Sequence, residues 1–146
     1  MLQVFEMMAT LCAALFAGAA LYINVAEHPA RMGLETRIAA LQWAPSYKRA
    51  TWLQAPLALV SFLGGVVAWF LGAGGGWLLA AVLIGAVVPF TLLCIMPTNH
   101  KLLKPGRDLD SSETRRLLER WGKLHAVRTI LSVVATVIYI WLVRGS

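Results

Sequence analysis

Apolar and polar positions in this chain come in long blocks rather than alternating residue by residue. Residues 7–26 carry no charge, close to the ~20 residues a helix needs to cross about 30 Å of hydrocarbon. Between Ala50 and Asn99 there is no Asp, Glu, Lys, Arg or His. That run is too long for one span and right for two, with the glycine-rich stretch Gly72–Gly76 as the turn between them. A last apolar block begins at His125 and ends near Val143. The pattern predicts four spans, at about residues 7–27, 51–71, 77–96 and 125–143, the middle two forming an antiparallel hairpin.

The two stretches between these blocks have helical spacing of their own. Leu34, Ile38 and Leu41 fall on one face with Glu35 and Arg37 turned away, and Pro45 ends the pattern. A short interfacial helix is therefore expected over about 33–43. Over about 111–123, Leu117, Leu118, Trp121 and Leu124 oppose Arg115, Arg116, Glu119, Arg120 and Lys123, the make-up of a basic interfacial helix. Asp110 and Glu113 have the spacing of an N-cap answered from N3. Gly122 is the expected bend into the fourth span, and Pro29 should loosen the end of the first by freeing the carbonyl of Val25. Pro56 and Pro89 fall inside spans, where neighbouring helices can satisfy the carbonyls they free. Small residues recur at Ala9, Ala13 and Ala17, at Ala14 and Gly18, and at Gly64, Ala68 and Gly72. Such lines let helices approach closely, within one chain or in a homodimer.

Composition agrees with membrane residence: 59% of residues are hydrophobic, 14% are charged and the mean hydropathy is +0.70 over 146 residues. A soluble domain of this size could not bury that much apolar surface. The expected fold class is all-α, a four-transmembrane-helix bundle forming a single membrane domain over residues 1–146. The first block has no basic segment before it, so it reads as a retained span rather than a signal peptide. Cys12 and Cys94 both lie in apolar runs without a CxxC pattern and read as packing residues.

Charge sets the orientation. Of thirteen Lys and Arg residues, all but Arg128 and Arg144 lie between Arg31 and Arg49 or between Lys101 and Lys123. By the positive-inside rule these two loops are cytoplasmic and both termini extracytoplasmic, in a bacterial inner membrane. The net charge of +6 is thereby assigned to loops flanking spans, and nucleic acid is not an expected partner.

The same topology gathers the polar chemistry. His28, Asn99, His100 and His125 all fall at the loop-side end of the bundle. Asn24, Glu27, His28 and Arg31 recur at i, i+3, i+4 and i+7, so one face of the first span turns polar as it leaves the bilayer. In the fourth span His125, Arg128, Thr129, Ser132, Thr136 and Tyr139 form a stripe about 20 Å long, which should face the interior. Any one of these groups could snorkel to headgroups or bond its own backbone. Three sequence-distant segments bringing acid, base, amide and guanidinium to one place favour a functional cavity. Trp43, Tyr47 and Trp52 are either headgroup-level aromatics or walls of that cavity.

Three stretches carry a resemblance: Tyr22–Arg31 (YINVAEHPAR), Met96–Leu103 (MPTNHKLL) and Arg120–Arg128 (RWGKLHAVR). In this order and at these span ends the chain resembles the DUF1772, or anthrone-oxygenase-like, family of small four-span membrane proteins. The resemblance implies oxygenation of an anthrone to an anthraquinone by dioxygen. It assigns the base to His28 or His125, with Glu27 orienting a ring, and oxyanion stabilisation to Arg128 and Asn99. Trp43, Tyr47, Trp52 and Trp121, with His100, would hold a flat apolar aromatic entering from the lipid. No cofactor is required on this view. A metal is the other use of the same groups: His28, His100, His125 and Glu27 could hold non-haem iron, copper or zinc, although no local spacing such as HExxH supports it. A non-enzymatic small-molecule or metal-ion binder and an accessory membrane subunit are the competing functions.

Overall fold

The computed structural model describes residues 1–145, and among them it is helical without strands. Four helices are long and apolar enough to cross a membrane: α1 (Leu2–Met32), α2 (Thr36–Ala73), α3 (Gly75–Leu102) and α4 (Ser112–Arg144). Each packs against its neighbours in the order α1–α2–α3–α4–α1, an up-down-up-down bundle with weak diagonal contact. The protein is an integral membrane four-helix bundle.

The small-residue lines do part of the packing. Ala9, Ala13 and Ala17 are buried, and a side chain on Gly64 would come within 3.1 Å of the Phe5 carbonyl and 3.2 Å of Ala9 Cβ. Ala68 is buried as well. These positions are spent inside one chain, whereas Gly18 and Gly72 face open space. Gly72 belongs to the α2–α3 turn, where it and Gly74 both take φ of +94°, a conformation that side chains disfavour. At the end of the bundle away from the loops, Trp77 packs 5.2 Å from Tyr139 between ring centroids, and the Tyr139 hydroxyl donates to the Ser61 carbonyl.

Three local expectations are corrected. Pro45 does not end the interfacial helix: α2 runs unbroken through Pro45 and Pro56 to Ala68 before its last, wider turn. Likewise 112–123 is helical as the first third of α4, and Gly122 is a packing position in that unbroken helix, not a bend. The N-cap of α4 is Ser111, whose Oγ accepts from the Thr114 backbone N–H, while Asp110 pairs with Arg37 at 3.0 Å. Ser111 wins because its own side chain reaches N3, leaving Asp110 free to turn outward.

Pro29 does loosen α1. The turn before it, Ile23–Glu27, is π-helical, and a second π-helical turn, Thr91–Ile95, precedes Pro97 in α3. A proline has no N–H for the carbonyl one turn back, and the wider turn accommodates that loss. Both widened turns lie directly before the polar span exits.

Candidate functional site

The centre of the loop-side end is the side chain of Asn24, in the π-helical turn of α1. Its Nδ2 donates to the Gly122 carbonyl at 3.1 Å. Its Oδ1 accepts from the Thr129 hydroxyl at 2.6 Å and from His125 Nδ1 at 2.7 Å. An amide oxygen can only accept, so the network places the His125 proton on Nδ1 and leaves Nε2 with the free lone pair of the neutral ring. His28 is set the other way. Arg31 donates to its Nδ1 at 3.2 Å, so a neutral His28 carries its proton on Nε2.

One aromatic ring, Trp121, bridges the two histidines. Trp121 stacks on His125 at 4.9 Å and lies 5.2 Å from His28, and its other neighbour is Trp43, edge-on at 5.9 Å. Trp43 stacks in turn on Tyr47, 5.1 Å away with planes 7° apart. The His28 ring lies so close to α4 that a Cβ on Gly122 would be 2.5 Å from its Cδ2 and Nε2. Glycine at 122 is therefore what admits the ring.

The acid enters through a second layer. Glu27 accepts from Arg31 and from the Ser46 hydroxyl, and Arg31 also donates to Gln42 and lies 5.9 Å from the Trp121 ring centre. Glu27 therefore reaches His28 through Arg31, and the direct ring partners are Arg31 for His28 and Asn24 for His125. Arg128 donates to Gln54 Oε1 at 2.7 Å, with its guanidinium 5.4 Å from the Phe16 ring centre.

Six buried side-chain atoms have no hydrogen-bond partner among the described residues: Trp43 Nε1, Trp121 Nε1, Asn99 Nδ2, Gln54 Nε2, Arg128 Nε and Asn99 Oδ1. Five of them are N–H donors. Asn99 is fully buried between Ile95 and Leu102 on one face of α3, and those two residues pack in the cluster that holds Trp43 and Trp121. Unmatched buried donors are costly in any protein.

Not every expected residue joins this group. His100 is exposed, a turn position away from Asn99. Trp52 is 83% exposed and lines a shallow outer groove with Ala55, Pro56 and Leu59. Nine positions separate it from Trp43, two and a half turns of helix, so the two rings leave α2 on opposite faces. Among the described residues, no three His, Cys, Asp or Glu side chains come together in a metal-holding group. Ser46 and Gln54 also take part, and Asn24, Arg31 and Gly122, expected only as a polar helix face and a bend, supply direct partners or room for the two histidines. Gln54 had a signal, since it is the amide in a long stretch without ionisable residues.

The lower stripe of α4 is interior but turned to other work. Ser132 and Thr136 donate to the carbonyls of Thr129 and Ser132 in their own helix. The stripe thus divides into site residues above Thr129 and packing residues below it.

A four-span bundle with an amide-locked histidine, stacked tryptophans and unpaired buried donors defines the class of the protein, a helical integral membrane protein. Residues 43–138, more than half of the chain, match the sequence profile of the anthrone oxygenase family, and the chain belongs to that family. It is 39% identical over 70 residues to anthrone oxygenase tpcL of Aspergillus fumigatus, covering 46% of this chain and 44% of that protein. It is 29% identical over 118 residues to anthrone oxygenase ptaC of Pestalotiopsis fici (68% and 80%), and 36% identical over 62 residues to anthrone oxygenase gedH of Aspergillus terreus (41% of each). The aligned stretches thus span less than half the length of tpcL and gedH. These relatives are fungal and lend no support to a bacterial inner membrane as the host bilayer. No solved structure matches the chain.

Proposed function

We propose that this protein is a membrane oxygenase that converts an anthrone-like aromatic to the corresponding quinone at the loop-side end of the bundle. The observation that carries this reading is His125, held by Asn24 with Nε2 unprotonated and stacked on Trp121 among surplus buried donors. His28 is less suited as base because Arg31 occupies its Nδ1 lone pair.

The chemistry needs little from the protein. His125 Nε2 takes a proton from the doubly benzylic carbon, and the electron pair spreads to the carbonyl oxygen as an enolate. Buried donors from Arg128 and Asn99 stabilise that oxygen. One electron passes from the enolate to dioxygen, and the resulting carbon radical and superoxide join through a new C–O bond. The peroxide takes the proton back from His125. Its O–O bond then breaks as the second benzylic C–H is lost, so that anthrone and dioxygen become quinone and water. No cofactor is required, because the substrate supplies the electrons. Trp43, Tyr47 and Trp121 wall the site, the charged loops lie in the cytoplasm, and the substrate arrives through the bilayer.

The test is quinone formation with dioxygen uptake by purified protein given an anthrone. His125→Ala should lower turnover by about 100-fold or more, the scale of a lost general base. Unchanged turnover in a folded variant would overturn the assignment of the base, and loss of binding with no turnover in either protein would favour a non-enzymatic carrier. Elemental analysis bears on the cofactor. Stoichiometric iron, copper or zinc that disappears in His28→Ala would overturn the cofactor-free route.

A further inference from the structure

We infer that a lateral cleft between α2 and α3 binds the anionic form of an aromatic ligand from the bilayer, with Arg128, positioned by Gln54, as its anchor. The cleft, about 150 Å³, is lined by Phe16, Ala55, Ala58, Val87, Leu92 and Arg128, among others. Its mouth residues Thr51, Ala55, Val88 and Leu92 are exposed on the outer face of the bundle, and its floor residues Phe16, Ala58 and Val87 are buried. Opening at membrane depth, it faces lipid.

Arg128 is the polar group in this lining that is left for a guest. The two threonine hydroxyls there are committed to their own helices, Thr51 to the Tyr47 carbonyl at 2.9 Å and Thr91 to the Val87 carbonyl at 2.6 Å. Arg128 has no carboxylate partner among the described residues. It is steadied by the Gln54 oxygen and by the face of Phe16, neither of which carries a charge. Its Nε and the Nε2 of the fully buried Gln54 remain without acceptors. A guanidinium kept in an apolar wall without a counter-charge is costly, and an anionic oxygen delivered by a ligand would offset that cost. The surrounding side chains are hydrocarbon, so the rest of the ligand is apolar. The volume is below the roughly 300–1,000 Å³ of an enclosing site, so part of the ligand stays in the lipid. Anion binding stands on the cleft alone, and only the aromatic identity of the guest rests on the oxygenase reading.

Binding of anthraquinone-2-carboxylate and of its neutral methyl ester to the protein in phosphatidylcholine nanodiscs tests this, read by tryptophan quenching. Arg128→Gln should reduce the ratio of carboxylate to ester affinity by about 10-fold or more, the scale of a charge-assisted pair. Gln54→Glu guards against misfolding, because it gives Arg128 an internal partner of nearly the same shape. It should produce the same loss while thermal stability holds. Ala55→Trp, at the exposed mouth, should weaken both ligands. An unchanged ratio in both Arg128→Gln and Gln54→Glu overturns the anchor. If added phosphatidylglycerol abolishes the wild-type preference, and its retention in native mass spectrometry depends on Arg128, the guest is a lipid headgroup and the aromatic assignment is overturned. Failure to make quinone with the preference intact would sink the oxygenase reading and leave the cleft standing. Turnover without any preference would do the reverse.

Discussion

Asn24 binds three groups on α4 with one amide: the Gly122 carbonyl, His125 and Thr129. Its removal should be felt in the histidine rather than only in stability. Asn24→Leu should release the His125 tautomer, so that nitrogen NMR of histidine-labelled protein shows proton occupancy spreading to Nε2. A ring still locked at Nδ1 would mean that another group sets the tautomer. Gly122 is the companion case. Gly122→Ala should destabilise the protein by about 1–3 kcal/mol, as overpacking does, because its Cβ would meet the His28 ring at 2.5 Å. The second substitution His28→Ala should recover most of that loss in a thermal-unfolding double-mutant cycle, and additive losses would show that the clash lies elsewhere. Neither role could be read from sequence, where Asn24 is one polar residue on a helix face and Gly122 one glycine among twelve.

At the scale of elements, α4 does more than cross the bilayer. Its loop-side third reaches over the α1–α2 turn, where Arg115 donates to the carbonyls of Met32 and Leu34 left open by the end of α1. Arg115→Ala should speed hydrogen exchange across residues 32–36 and lower stability by about 1–2 kcal/mol, given the partial exposure of the pair. Exchange at the α2–α3 turn should not change, and uniform acceleration would point to global destabilisation instead. The spans themselves were legible because a bilayer demands long uncharged runs. Their junctions with the interfacial helices were not. Pro45 is tolerated within α2, as Pro56 is, because the bundle's packing and not local propensity decides whether a helix continues.

For the whole molecule, the charge asymmetry predicts that a reporter fused after Ser146 is extracytoplasmic. A cytoplasmic reporter would turn the candidate site to the other side of the membrane. Much of this architecture follows from one-dimensional pattern: four spans, a glycine turn, loops on one side and three polar motifs at one end. Hydropathy and charge act locally along the chain, so a sequence carries them in full. Which groups touch is different information. Trp43 joins Trp121 and Trp52 does not, His125 and His28 receive opposite tautomers, and Arg128 goes to Gln54 rather than to an acid. These outcomes depend on helix rotation, on widened turns before Pro29 and Pro97, and on close approach at Gly122, all set by packing between segments far apart in the chain. Sequence brought the functional groups to one end of the bundle; three-dimensional packing gave each of them its partner.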